Sequence, residues 1–291
     1  MSVYEFTKAT KVQSKLRLAI FGPSGSGKTF TSLRLAKGIS EEGTKKVAVI
    51  DTEFGSASKY ADRFAFDVLN LKDPTVDHMV SAINSAAAYD ILIIDSLTHA
   101  WKELLAQVDQ LSKAKYRGNS WAAWSEGTPL QNKMVETLLR FPGHLIATMR
   151  TKTEWTINQD SNGKSNPTRV GLSPEQGKGI EYEFDMLMEI SPDHVINVIK
   201  DRTGKFQDQI VPTPDEEFGK EVLAWLREGQ AVEVTRTKED LLEFGKPLGL
   251  NGSQIGQALK SAELEFDPLN WDLMTRIIVA YSTSELNGHQ K

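Results

Sequence analysis

Residues 22–29 read Gly-Pro-Ser-Gly-Ser-Gly-Lys-Thr, which satisfies the phosphate-loop spacing of a glycine, four residues, then Gly-Lys-Thr. The pattern constrains the fold because it works only between a strand and a helix. Its glycines let successive backbone N–H groups close around phosphate oxygens at the start of that helix. Both neighbours are present. Residues 16–21, Leu-Arg-Leu-Ala-Ile-Phe, read as a buried strand, and residues 30–36, Phe-Thr-Ser-Leu-Arg-Leu-Ala, as the first turns of a helix. Gly22, Pro23, Ser24, Gly25, Ser26, Gly27, Lys28, Thr29 and Phe30 are therefore the expected nucleotide-binding residues. Lys28 would reach the β and γ phosphates of ATP, and the Thr29 hydroxyl would hold Mg²⁺.

Further apolar runs end in polar residues, as the parallel strands of an α/β sheet do where they meet a nucleotide. Residues 46–51, Lys-Val-Ala-Val-Ile-Asp, lead into Thr52 and Glu53. Glu53, just past the strand, is placed to orient or deprotonate the attacking water. Residues 89–96, Tyr-Asp-Ile-Leu-Ile-Ile-Asp-Ser, match the Walker B pattern, in which Asp95 serves Mg²⁺. Ser96 stands where many ring-forming ATPases carry a glutamate, which leaves the base role to Glu53. Residues 144–149, His-Leu-Ile-Ala-Thr-Met, end at Arg150, the expected contact to the γ-phosphate. Residues 182–190 and 194–199 pair as two strands around a turn at 191–193, and the second runs into Lys200 and Arg202. Two cations two residues apart on an extended segment point the same way. In a stacked oligomer they would enter a neighbour's nucleotide site as an arginine finger does; a solvated strand end fits the spacing equally.

Two stretches lack a core pattern. Residues 113–124 carry Lys115, Arg117, Trp121 and Trp124 beside Gly and Asn, which suits a mobile loop that tracks a phosphate backbone and stacks on bases. The two tryptophans at a spacing of three equally fit the apolar face of a core helix. Residues 153–178 lose periodicity and fill with Asn, Gly, Ser, Pro and Lys. Counted with Lys152 just before them, the cations Lys164, Arg169 and Lys178 outnumber the acids, as in a loop that orders on single-stranded nucleic acid. A surface hairpin with residues 155–157 as one arm is the plainer alternative. Residues 57–64, 73–88, 98–114 and 130–140 have helical spacing, residues 212–229 give a linker and a helix, and residues 237–282 read as a three-helix unit opened by a Thr237–Asp240 capping box.

Composition narrows the class. The 291 residues allow one full α/β core and a small appendage, and no apolar run is long enough to span a membrane. The polar start of the chain lacks the apolar segment of a signal peptide, so a cytoplasmic protein is expected. Cysteine is absent and the five histidines show no metal-ligand spacing, which removes disulfides and thiolate metal sites. The net charge of −5 leaves room for only a local basic channel.

In order, the phosphate loop, the strand ending Asp51-Thr52-Glu53, the Asp95-Ser96 strand, the polar strand tip, the long loop and Lys200-x-Arg202 resemble the RecA-like recombinase core over residues 15–205. The likeness is nearest to the short phage-encoded ATPases of the single-strand annealing type. It implies an α/β fold, a P-loop NTPase core with a mostly parallel sheet flanked by helices, which takes up residues 15–230; composition and spacing add an arm at 1–14 and a small helical unit at 236–291. It implies ATP and Mg²⁺ as cofactors, Glu53 activating water, Asp95 serving Mg²⁺, and Lys200 and Arg202 acting across a protomer interface. Residues 113–127 and 151–178 would correspond to the two DNA-binding loops. Phe6 and Ala9 fit the Phe-x-x-Ala motif by which eukaryotic and archaeal strand-exchange recombinases dock one protomer on the next. Arg150 departs from the pattern, since the RecA sensor is a glutamine; a cis arginine finger and a charge contact are both open. RecA's long N-terminal packing helix is missing.

The function so implied is ATP-dependent binding of single-stranded DNA in annealing or homologous recombination. The expected partners are DNA, further copies of the chain in a filament or ring, and a single-strand-binding or other replication protein, with no membrane. A nucleotide-switched interaction ATPase, working like a helicase loader through the helical unit, is the other class. A small-molecule kinase is disfavoured because no arginine-rich lid follows the core.

Overall fold

The computed structural model describes residues 8–41, 43–159, 165–230, 237–267, 274–275 and 277–282. Phe6 and Lys164 lie outside them. Among the described residues nine strands form one sheet. The buried apolar runs become β1 (Arg17–Gly22), β2 (Val47–Asp51), β4 (Ile91–Asp95) and the first part of β5 (His144–Gln159), and the short exposed β3 (Asp67–Asn70) pairs on β2. With β7 (Met186–Ile190) they stand in the order β3-β2-β4-β5-β1-β7, all parallel. β8 (Val195–Asp201) and β9 (Ile210–Pro212) extend the sheet antiparallel, and β6 (Ser165–Pro174) pairs with the outer part of β5. The fold is thus α/β with a mostly parallel sheet flanked by helices, as the sequence implies.

Strand alternation divides the core. Ala19, Phe21, Leu92, Ile94, Leu145 and Ala147 face α2 (Val76–Ser85), α3 (Leu97–Lys115) and α4 (Ser120–Arg140), while Leu18, Ile20, Ile91, Ile93 and Ile146 face α1 (Lys28–Ile39) and α6 (Glu216–Leu226). α1 and α6 approach so closely that a Cβ on Gly38 would lie 2.1 Å from the Glu216 carbonyl oxygen. Arg34 locks this crossing by donating to Glu216 at 2.7 Å.

Three expected elements come out differently. Residues 113–124 form no long loop: α3 runs to Lys115, and Asn119 caps α4 by accepting from the Ala122 N–H at 3.1 Å. Four residues, 116–119, connect the helices, with Arg117 and Gly118 in left-handed conformation to make the turn. Residues 151–159 and 165–174 pair instead as the antiparallel β5–β6 hairpin, the plainer alternative with residues 155–157 in one arm, with Thr151 opposite Pro174 and Gln159 opposite Ser165. Its pairing depends on register between distant residues, which local composition does not report. The expected strand at 182–190 is preceded by a single helical turn, α5 (Ile180–Glu183), and begins at Met186.

The C-terminal unit has its own apolar cluster of Leu241, Leu250, Ile255, Leu259, Met274 and Ile278, drawn from α7 (Lys238–Gly245), the connection after it, α8 (Gly252–Ser261) and the helical residues beyond 273. The Thr237 capping box is present, with Asp240 accepting from the Thr237 N–H at 2.8 Å and Thr237 from the Asp240 N–H at 3.2 Å. Among the described residues no helix is long and apolar enough to cross a membrane.

Candidate nucleotide site

Parallel strands bring their carboxyl ends to one edge, so β1, β2, β4 and β5 deliver Gly22, Asp51, Asp95 and Arg150 together. They border a cleft of about 530 Å³ lined by Gly22, Pro23, Lys28, Thr29, Glu53, Asp95 and Arg150, among others. Phe30 and Tyr60 form one wall, their ring centroids 5.5 Å apart. A groove of about 720 Å³ beside Phe64, Phe66 and Tyr89 is lined by none of the phosphate-loop residues.

The loop itself is tied internally. Lys28 Nζ donates to the carbonyls of Gly22 at 3.0 Å and Pro23 at 2.8 Å, and the Ser26 hydroxyl donates to the Pro23 carbonyl at 2.9 Å. Burial lowers the Lys28 ammonium below its ordinary value, while Glu53 and Asp95 work against that shift. Gly25 and Gly27 hold φ of 79° and 90°, a region closed to most side chains. Gly22 is required for space, since a Cβ there would stand 2.4 Å from the Ile190 carbonyl oxygen.

Asp95 is buried beneath the loop and takes two hydroxyl donors, Thr29 Oγ1 at 2.6 Å and Thr148 Oγ1 at 2.5 Å. Burial raises its carboxyl pKa, and the two hydrogen bonds partly offset the rise. Thr148 follows Ala147, which pairs with Ile94, so parallel register sets it beside Asp95. Sequence reading passes over Thr148 because a threonine inside an apolar run is an ordinary strand residue; only register reveals the contact.

The Thr29 hydroxyl and Asp95 carboxylate are hard oxygen donors on one spot, which fits Mg²⁺. Among the described residues no cluster of three His, Asp or Glu could hold a metal alone. A Mg²⁺ ion here would complete its shell with phosphate oxygens and water, and would supply charge neutralisation when bound.

Glu53 stands at the mouth. Buried Asp51 fixes its backbone, accepting from the Glu53 N–H at 2.6 Å and the Ala57 N–H at 2.8 Å. Arg150 donates to Glu53 Oε1 from Nη2 at 3.0 Å and from Nε at 3.3 Å. Thr52 ties the strand tips together through the Ser96 carbonyl at 3.0 Å, the Ser96 N–H at 2.9 Å and His99 Nδ1 at 2.7 Å. No histidine-containing motif marks His99 in the sequence, and its partial burial on α3 is a tertiary outcome.

A family model described as an AAA domain matches residues 14–218. The chain belongs to the AAA domain family. The AAA domain is a nucleotide-dependent ATPase module, and its match runs from the residues before β1 into α6, with the cleft inside it and the C-terminal unit outside. No curated protein matches the chain.

The remaining expected residues of this AAA protein lie elsewhere. Trp121 is 88% exposed at the start of α4, whereas Trp124 turns inward and stacks on Trp101 with centroids 5.8 Å apart. Lys115 pairs with Glu126 at 2.6 Å, and Arg117 is exposed in the turn. Lys152 donates to the Gln176 carbonyl at 3.2 Å, Lys178 is exposed, and Arg169 sits on β6 opposite Trp155 in backbone register. Ala9 is exposed. Lys200 and Arg202, expected to act across a protomer interface, have partners within their own chain. Lys200 Nζ donates to the carbonyls of Glu181 and Tyr182, both at 2.9 Å, and Arg202 to Asp185 at 3.2 Å and the Tyr182 carbonyl at 2.6 Å. The turn of α5 presents those carbonyls, an element sequence periodicity does not separate from the strand that follows.

Proposed function

We propose that this AAA protein is an ATP-dependent, Mg²⁺-requiring single-stranded-DNA-binding protein of the cytoplasm, of the RecA-like phage annealing type, acting in annealing or homologous recombination. It assembles on DNA as a filament or ring with ATP between protomers. Glu53 orients or deprotonates the water, Lys28 and Arg150 meet the charge on the transferred phosphate, and Thr29 with Asp95 holds the metal. Arg150 must leave Glu53 to do so, and a γ-phosphate is the stronger partner for a guanidinium.

Trp121 carries the DNA part of the reading. An indole 88% exposed is uncommon on a soluble domain, and it follows Lys115 and Arg117 closely in sequence, the combination of aromatic face and cation that stacks on bases and follows phosphates. Lys152, Arg169 and Lys178 on the β5–β6 hairpin and its base offer a second basic element. Lys200 and Arg202 keep a role across the protomer interface, because the α5 carbonyls and the Asp185 carboxylate that hold them are largely exposed contacts and exchangeable for phosphate.

The test is ATP turnover with and without single-stranded DNA for wild type, Lys28→Ala, Trp121→Ala and Lys200→Ala, with assembly followed by light scattering. DNA should raise wild-type turnover and produce particles larger than the monomer, and Trp121→Ala should lose most of the stimulation while keeping basal turnover. No stimulation and no assembly would sink the DNA reading.

A second reading, a nucleotide-switched interaction ATPase, is favoured by the separate apolar cluster of the C-terminal unit. Its signature is loss of function on deleting residues 237–291 with DNA binding intact.

A further inference from the structure

The turn between β7 and β8 reaches the phosphate loop through one side chain. His194 holds a left-handed φ of 63°. Its own N–H donates to the Ser191 carbonyl at 3.0 Å, and its carbonyl accepts from the Thr213 N–H at 3.2 Å, so its backbone is fixed at both ends. The ring stands against the loop, with Nδ1 2.9 Å from the Ser26 carbonyl oxygen. A carbonyl only accepts, so Nδ1 carries the proton in this contact. A Cβ built on Gly27 would lie 3.1 Å from the same nitrogen, which places the ring over the Ser26–Gly27 peptide.

The other side-chain donors to loop carbonyls come from within the loop and the first turn of α1: Lys28 to Gly22 and Pro23, Ser26 to Pro23. The Ser26 carbonyl draws its donor from 168 residues away. Its peptide unit is the one that matters for phosphate binding, because the Ser26 C=O and the Gly27 N–H are its two ends. A donor on the carbonyl polarises the unit and makes the N–H a stronger donor on the other side. That N–H opens α1, where backbone dipoles favour an anion.

We propose that His194 is a positioning residue for nucleotide: it braces the Ser26–Gly27 peptide from outside the loop and tightens the grip of the Gly27 N–H on phosphate. The proposal rests on nucleotide binding at this loop and is independent of DNA. It also explains a histidine in a conformation that His, Asn and Asp tolerate better than most residues. Asn and Asp each set a polar atom near the place of Nδ1; Asn donates there and Asp does not.

Binding of a fluorescent non-hydrolysable ATP analogue to the full chain, together with steady-state KM and kcat, separates bracing from turn-making. His194→Asn should bind within about twofold of wild type. His194→Ala should weaken binding roughly three- to tenfold, the worth of one hydrogen bond, raising KM with kcat unchanged. His194→Asp should be weaker still, since its carboxylate opposes both the carbonyl and the phosphate. Equal affinity of the Asn and Asp variants, or wild-type affinity in His194→Ala, would overturn the proposal; the Asn/Asp pair decides it should the alanine variant fail to fold. If wild type binds no better than Lys28→Ala, phosphate-loop binding itself fails, and His194 has nothing to position.

Discussion

The two edges of the parallel sheet are both polar, and they differ in what their polar groups are bonded to. At the carboxyl edge the cleft is lined by side-chain pairs, Glu53 with Arg150, Asp95 with Thr29 and Thr148, and Lys102 with Glu175 at 3.1 Å, beside Lys28, Asp51 and Thr52, which also bond backbone. At the amino edge the partners are backbone. The buried Arg17 guanidinium donates to the carbonyls of Leu16, Leu139, Phe141 and Gly143, which gathers the end of α4 and the turn into β5. His144 Nδ1 accepts from the Leu16 N–H at 3.1 Å, and Asp90 from the Lys46 N–H at 2.9 Å. Pairs of side chains can be re-formed around a ligand, whereas side chains that satisfy buried backbone are fixed parts of the fold. One edge should therefore govern turnover and the other stability.

The largest separation is expected at Glu53. Replacing it with Gln removes the base, and turnover should fall roughly 10²- to 10⁴-fold with nucleotide affinity kept. Stability should move by less than about 1 kcal/mol, because the pair with Arg150 is partly exposed. Single-turnover kinetics beside a denaturant melt gives both numbers. A large loss of stability here would erase the contrast between the edges.

Arg17→Met is the converse. It leaves buried carbonyls without donors, at a cost of roughly 3 kcal/mol, while the folded fraction should bind nucleotide as wild type does. Urea melts and analogue binding in the same buffer test it. A selective loss of affinity would place Arg17 in the functional class.

His144 gives the amino edge a pH signature. Burial, with Lys15 and Lys45 adding to it, pushes its pKa down to about 3 from the ordinary 6.5. The unfolded chain takes up a proton below 6.5 and the folded chain does not, so the contribution of His144 is fully present above that pH and is lost progressively toward 3. The expected slope is at most about 1.4 kcal/mol per pH unit. Urea melts between pH 7 and pH 4 should show it, and His144→Asn, which keeps an acceptor for Leu16 and cannot titrate, should flatten it.

This contrast also sets what the sequence makes legible. The phosphate loop and the strands ending at Asp51, Asp95 and Arg150 are written as continuous apolar runs, because parallel strands are buried on both faces. β3 is exposed along its whole length and leaves no such run. Thr148, His99 and His194 act through register or tertiary contact, so no local pattern marks them. The α3–α4 turn was obscured for a related reason: Gly118 and Asn119 signal a break, and composition does not say that Asn119 at once caps a new helix. Lys200 and Arg202 have their spacing in the sequence and their carbonyl partners only in the fold.

Thr148 is the residue where the two edges should behave alike, and its expected effect is the smallest. It lies at the carboxyl edge, yet it is wholly buried and its hydroxyl donates to a buried carboxylate. Thr148→Val keeps the shape and removes the donor, so stability should fall by about 1 kcal/mol. The Asp95 carboxyl, already raised by burial, should rise further, and a metal must then displace a proton more often. The Mg²⁺ concentration for half-maximal turnover should increase severalfold, most at the acid end of the pH range, with Thr148→Ser restoring it. A Thr148→Val protein with lowered stability and an unchanged Mg²⁺ requirement would move Thr148 to the structural side and leave Thr29 as the hydroxyl that matters to Asp95 in turnover.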